Sequence, residues 1–260
     1  GDSFQKVQRA HLVIGMAQTD QEYNAPFGPV LRLTVLKDTL HGAKGQGWRF
    51  QSDFGPKDKV LIPGPAWVSY PQIVHLSRAE PVMVPGEIEW GLKVSVADLE
   101  RHTDKLVKGL ILCSPCNPTG SVYTLAELEA IGDWARQHEV WVIGDEIYRR
   151  IHYGPGPAPS FLDLPSEYLE HAVFFTGVSK AYAMTGWRIA AAMAPPHLAK
   201  AMASLQSHTT TGANHPAQWA AATAYGDERV EQDVLQMVTA FRKRRDRLVE
   251  RFRREAPGVE

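Results

Sequence analysis

Cysteine is scarce in this sequence. The two present, Cys113 and Cys116, share one C-x-x-C spacing. That spacing suits a redox pair or half of a zinc site. Zinc needs two further ligands, and no second group of Cys or His stands at metal spacing, so no metal is expected. Cys113 lies in the apolar run Leu110–Cys113, where a plain core residue would lie. Such sparse cysteine fits a cytoplasmic setting. Charge of one sign is also lacking: 28 Lys and Arg oppose 29 Asp and Glu, for a net charge of -1. This removes the bulk electrostatic case for binding nucleic acid or an anionic membrane. No apolar run reaches the length of a membrane span, and no secretory pattern opens the chain. An initiator Met is missing and no terminal signature closes the sequence, so a fragment or processed product is expected. Neither a G-x-G-x-x-G fingerprint nor a Walker loop is present. There is no internal repeat, low-complexity linker or helix-turn-helix segment.

What remains is an ordinary globular composition, 44% hydrophobic and 22% charged over 260 residues. That length supports one large core or two smaller ones. Helical patterns run over His11–Ala17 and Leu31–Leu40, with a turn-like stretch from Tyr23 to Gly28 between them. The glycine-rich residues 41–47 suit either an anion nest or a flexible loop. From Lys59 the pattern sharpens. Val60–Pro63 and Val82–Val84 are short strands, and between them a loop turns into a helix bearing Trp67 and Tyr70. A helical segment opens at Val96. Gly109–Cys113 is apolar without alternation, as in a strand buried on both faces. It ends in a rigid Pro/Gly turn at 114–120. Thr124 and Glu127 then form a capping box. Leu125, Leu128, Ile131 and Ala135 share one helix face. Val140–Ile143 is the next strand, followed by Gly144-Asp145-Glu146-Ile147-Tyr148. Ala172–Thr176 and Ile189–Ala194 are strands. Helices are expected over His197–Ser207, Pro216–Tyr225 and about Glu228–Arg254, the last with a solvated basic run at Arg242–Arg245.

Strands alternating with helices predict an α/β fold with a mostly parallel sheet and right-handed crossovers. Asn117, Asp145 and Lys180 then follow the carboxyl ends of their strands, where open α/β sheets bind ligands. A lysine leaving a buried strand is costly to desolvate unless it is paired or covalently used. Arg188, eight residues on, has the planar fork that matches phosphate. A pyridine cofactor acting as electron sink needs an imine-forming lysine, a carboxylate at the ring nitrogen, donors at the ring hydroxyl, a flat stacking partner and a phosphate cradle. Lys180, Asp145, Tyr148 with Asn117, Trp67 and Arg188 supply these types. Each has a plainer alternative: loop lysine, helix cap, turn former, core aromatic, surface arginine.

The segments PAWVSYP at 65–71, NPTG at 117–120, GDEIY at 144–148, SKAYAMTGWR at 179–188 and SHTTTGANHPAQWA at 207–220 resemble the class I/II aminotransferases. These are fold-type I pyridoxal-phosphate enzymes, and the bacterial aspartate aminotransferase branch is the most similar. The resemblance covers about 60–226. It implies a three-layer α/β large domain and pyridoxal 5'-phosphate as cofactor. Lys180 is implied as Schiff-base lysine and proton shuttle, Asp145 on the ring nitrogen, and Tyr148 and Asn117 on the ring hydroxyl. Trp67 is implied as stacked on the ring and Arg188 on the phosphate. By position it also implies Gly42 and Ala43 as phosphate-turn donors, and Tyr23 as the tyrosine reaching a neighbouring subunit in a homodimer. Residues 1–40 are expected to form an N-terminal segment, 41–226 the cofactor-binding domain, and 227–260 a helix leading toward a largely missing small domain. The implied activity moves an amino group between an amino acid, aspartate-like, and a 2-oxo acid. The alternatives are another pyridoxal-phosphate reaction or a non-catalytic cofactor-binding remnant. Three departures stand out. Gly177 occupies a position where many relatives have a phosphate-binding serine. The stretch from Gly28 to His41 is short, as if a segment were lost. No residue matches the arginine that grips the substrate carboxylate.

Overall fold

The computed structural model describes residues 57–256 together with the backbone of Val13–Ile14. Tyr23, Gly42, Ala43 and the pattern over Leu31–Leu40 lie outside the described residues. Among the described residues one sheet contains β1 (Val13–Ile14), β2 (Lys59–Gly64), β3 (Glu80–Pro85), β4 (Val107–Cys113), β5 (Trp141–Asp145), β6 (Ala172–Gly177) and β7 (Ala190–Met193). Their spatial order is β3-β2-β4-β5-β6-β7-β1. The first five in that order run parallel. β7 returns antiparallel to β6, and β1 lies antiparallel to β7. The helical expectation over His11–Ala17 is therefore corrected at its centre. Val13 and Ile14 are β-branched and apolar, and they pair with Ala192 and Ala191 as an edge strand.

The longer helices are α1 (Ser69–Leu76), α2 (Val96–His102), α3 (Leu125–Gln137), α4 (Pro196–Thr209), α5 (His215–Gly226) and α6 (Glu228–Glu255). Alternation along the strands sends neighbouring side chains to opposite faces. Leu61, Leu110, Leu112, Val142 and Phe174 pack with Leu99 of α2 and with Leu128, Ile131 and Trp134 of α3. Val60, Ile62 and Ile111 meet Tyr70, Ile73 and Val74 of α1 on the other face. There Val173, Phe175 and Ala192 meet Ala199 and Met202 of α4. Helices thus cover both faces, and the three-layer α/β architecture is the one expected.

The Thr124–Glu127 capping box is present: Glu127 N donates to Thr124 Oγ1 at 3.3 Å and Thr124 N to Glu127 Oε2 at 2.7 Å. Leu125 is exposed, contrary to its expected place on the buried face, and Trp134 fills the core instead. In the first turn Leu125 sits beyond the reach of the sheet. α5 places Ala217, Ala221 and Ala224 against Val178 and Ile189. Small residues let this helix approach the segment that carries Lys180. The basic run Arg242–Arg245 on α6 is exposed, as a solvated face should be.

Candidate functional site

Register places the site. Cys113 at the end of β4 pairs with Asp145 at the end of β5, and Asp145 pairs with Phe175 near the end of β6. The turns that leave these three adjacent parallel strands therefore emerge side by side. They carry Asn117, Tyr148 and Lys180. The loop after β2 carries Trp67, which was expected on the helix but precedes it, and the first turn of α1 brings Tyr70 to the same edge.

Asp145 is held from two sides. The Tyr70 hydroxyl donates to its Oδ2 at 2.7 Å, and the Ile147 backbone N–H donates to its Oδ1 at 3.1 Å. The carboxylate does brace its own turn, but it also spans to another helix. Burial pushes its pKa up, while the Tyr70 and Ile147 hydrogen bonds and the charge of Lys180 pull it down. Among the described residues Asp145 forms no ion pair with Lys, Arg or His. A carboxylate in this position favours a cation placed against it. Tyr70 is buried, and its own pKa is raised well above the ordinary value by that burial and by the Asp145 charge. It therefore stays a hydrogen-bond donor.

Tyr148 lies on the turn after β5. Burial raises its pKa, while the neighbouring Asn117 side chain pulls it down. The Asn117 turn is itself closed by Gly120 N–H donating to the Cys116 carbonyl at 2.8 Å and Cys116 N–H to the Ser121 carbonyl at 2.9 Å. Gly120 adopts φ 73°, the left-handed region that glycine enters without strain. Lys180 Nζ lies 5.8 Å from the centre of the Tyr148 ring. Lys180 is exposed, so the expected desolvation cost does not arise. The strand ends three residues earlier and the intervening turn carries the side chain to the rim. Trp67 is half-buried and stands edge-on to Tyr70, with ring centres 5.5 Å apart and planes at 88°.

Arg188 belongs to the loop between β6 and β7. Its Nη1 donates to the Thr185 carbonyl at 2.9 Å, and Thr185 Oγ1 donates to the Ser179 carbonyl at 3.0 Å. The loop is thus folded back onto its own start, beside Lys180. Gly177 has a local reason. A Cβ there would lie 3.0 Å from the Ile189 carbonyl oxygen and 3.1 Å from Ile147 Cδ1. β7 approaches too closely for a serine to fit without movement.

Sequence reasoning placed Tyr70 only as one of two aromatics on its helix. Its i, i+3 spacing from Trp67 was the available signal. It also passed over Glu146, which is 6% exposed beside Asp145. Ser160 Oγ donates to Glu146 Oε1 at 2.5 Å, and Arg149 bridges to both oxygens of Asp163 at 2.9 Å. Burial pushes the Glu146 pKa from 4.5 up to about 7. A raised carboxyl pKa means that the folded state holds the proton more tightly. The associated stability is full below the unfolded value, near pH 4.5, and is lost as pH rises through about 7. The shift corresponds to about 3 kcal/mol. Denaturant titrations should show the wild type losing about that much between pH 5 and pH 8 relative to Glu146→Gln. Parallel pH profiles for the two proteins would contradict this assignment.

The donor set fits a pyridine cofactor with an aldehyde: an amine at the rim, an anchored carboxylate, and a phenol paired with an amide. The family model described as "Aminotransferase class I and II" matches residues 41–260. The chain is 40% identical over 195 residues to an aspartate aminotransferase of Geobacillus stearothermophilus, covering 75% of this chain and 49% of that protein. It is 38% identical over 241 residues to an aspartate aminotransferase of Streptomyces avermitilis, covering 92% and 57%. The crystal structure of an aromatic aminotransferase from Pyrococcus horikoshii aligns with a TM-score of 0.78 at 29% identity, over 95% of this chain and 60% of that one. The chain spans about half the length of the curated relatives it matches.

Proposed function

The chain belongs to the class I and II aminotransferase family, and from that premise we propose that its sheet edge holds pyridoxal 5'-phosphate and transfers an amino group from an amino acid, aspartate-like, to a 2-oxo acid. The observation that carries this reading is the meeting of Lys180, Asp145, Tyr148 and Asn117 at the ends of β4, β5 and β6. Bound there, the cofactor supplies a protonated ring that accepts electron density from the substrate's α-carbon.

The chain's own residues do the rest. Lys180 Nζ is the covalent attachment point. Its free amine would take the proton from the substrate α-carbon and return one, as general base and acid. Asp145, fixed by Tyr70 and Ile147, keeps the ring nitrogen protonated. Tyr148 and Asn117 donate to the ring hydroxyl. Trp67 would pack on the ring, and Arg188 would pair with phosphate through its planar fork. Outside the described residues, Gly42 and Ala43 are proposed as further phosphate donors and Tyr23 as the contact to a second subunit of a homodimer. The proposed division is an N-terminal segment to residue 40, the cofactor domain at 41–226, and a helix at 227–260 leading toward a small domain. Among the described residues no helix is long and apolar enough to cross a membrane, in keeping with the proposed cytoplasmic location.

The test uses the purified chain with pyridoxal phosphate and aspartate, without added 2-oxo acid. One equivalent of 2-oxo acid should appear per cofactor, with no ammonia. Release of ammonia would instead indicate elimination, and an amine product with the cofactor left as its aldehyde would indicate decarboxylation.

A further inference from the structure

The C-x-x-C pair is not used by the chemistry above. We infer that Cys113 and Cys116 form a reversible thiol–disulfide pair that small disulfides oxidise, with Cys116 as the attacking thiol and Cys113 as the resolving one. Both cysteines are free. They differ in access, since Cys113 is 7% exposed at the end of β4 whereas Cys116 is half-buried on the turn beyond it. The two thiols lie near enough to shift each other's titration in opposite directions. Two backbone carbonyls face them: that of Pro115 lies 3.3 Å from Cys113 Sγ and that of Pro65 lies 3.6 Å from Cys116 Sγ. The turn is held by its own hydrogen bonds, including Thr119 Oγ1 to Ser121 Oγ at 2.8 Å.

The surrounding charges divide the pair by role. The neighbouring Cys113 thiol, with help from the Thr119 side chain and backbone, lowers the Cys116 pKa. The Cys116 thiol, burial and the charge of Asp145 raise that of Cys113. Tyr70 and Tyr148 also face Cys113, and Tyr123 faces Cys116. A more accessible thiol with a lowered pKa beside a buried protonated one is the arrangement that attacks disulfides. Cys116 thiolate attacks one sulfur of a glutathione-type disulfide, and the first thiolate leaves. Cys113 gives up its proton and attacks Cys116 Sγ, and the second thiolate leaves. Two cysteine thiols are oxidised and one disulfide is reduced to two thiols. The new bond ties the end of β4 to the turn that carries Asn117.

This inference does not depend on the aminotransferase reading, and its test needs no cofactor. The purified chain is treated with oxidised glutathione at pH 7, and peptides are mapped by mass. The expected product is a Cys113–Cys116 disulfide, lacking two hydrogen atoms and restored by dithiothreitol. In Cys113→Ala the mixed disulfide on Cys116 should persist. Iodoacetamide should modify Cys116 at least about tenfold faster than Cys113 in the wild type. Thiols that remain free, a persistent mixed disulfide in the wild type, or faster alkylation of Cys113 would overturn the assignment. Because every deciding readout except the persistence experiment is made on the wild type, poor folding of the variant leaves the test intact.

Discussion

Lys180→Ala is expected to lower amino-group transfer roughly 10²–10⁴-fold or more, since it removes both the attachment point and the base that moves the α-proton. Among the described residues, two other lysines are engaged elsewhere. Lys59 lies at the opposite, amino end of β2, 2.6 Å from Asp104, and Lys93 is paired with Glu127 at 2.6 Å. Lys180 is exposed and packs only loosely over the Tyr148 ring, so its removal should leave stability within about 0.5 kcal/mol of the wild type. Lys180→Arg separates charge from nucleophilicity. It keeps a cation near Asp145 and Tyr148 but has no amine that can be deprotonated. Both variants should fold and neither should turn over. Turnover by Lys180→Arg within tenfold of the wild type would remove Lys180 from the chemistry.

The second large effect concerns Asp145. In Asp145→Asn the side chain keeps its shape, and its amide oxygen can still accept the Tyr70 or Ile147 hydrogen bond, but the charge is gone. A buried charge pair broken on one side costs about 3–5 kcal/mol, so turnover should fall roughly 10²–10⁴-fold. Stability without cofactor should move the other way. Burial raises the Asp145 pKa, which means that the ionised carboxylate costs folding free energy above its ordinary titration range. Its neutral replacement should therefore raise the denaturation midpoint of the cofactor-free chain at pH 7. A group that weakens the empty protein and strengthens the loaded one is serving the ligand. If Asp145→Asn loses both stability and turnover, the carboxylate is a structural brace for the β5 turn and not a partner for the ring.

Much of this arrangement was legible because the parallel strands are short, apolar and cleanly punctuated. β4 has no polar alternation and stops at a Pro/Gly turn, so its ends and its burial on both faces could be read directly. The placement of Asn117, Asp145 and Lys180 on one edge followed from strand direction alone. The edge strand at Val13–Ile14 did not, because its partner β7 lies far along the chain and two residues carry no period of their own. Tyr70 was missed for a similar reason. Its bond to Asp145 joins residues 75 positions apart, and nothing local distinguishes a tyrosine aimed at a carboxylate from one filling the core. Lys180 was expected to be forced into use by burial, yet it is exposed; its proposed role rests on its neighbours, not on desolvation. Gly177 shows the converse. In the sequence it is only a departure from a pattern, and the packing of Ile189 against it supplies the cause.

The most direct test of the central claim is the site of covalent cofactor attachment. The purified wild-type chain is mixed with pyridoxal phosphate, its visible absorption recorded, and the complex reduced with borohydride and mapped by peptide mass. The account predicts an absorption band that reduction abolishes, with one reduced cofactor per chain on Lys180 and none on Lys180→Ala. Label scattered over surface lysines, or an unchanged band in Lys180→Ala, would contradict it.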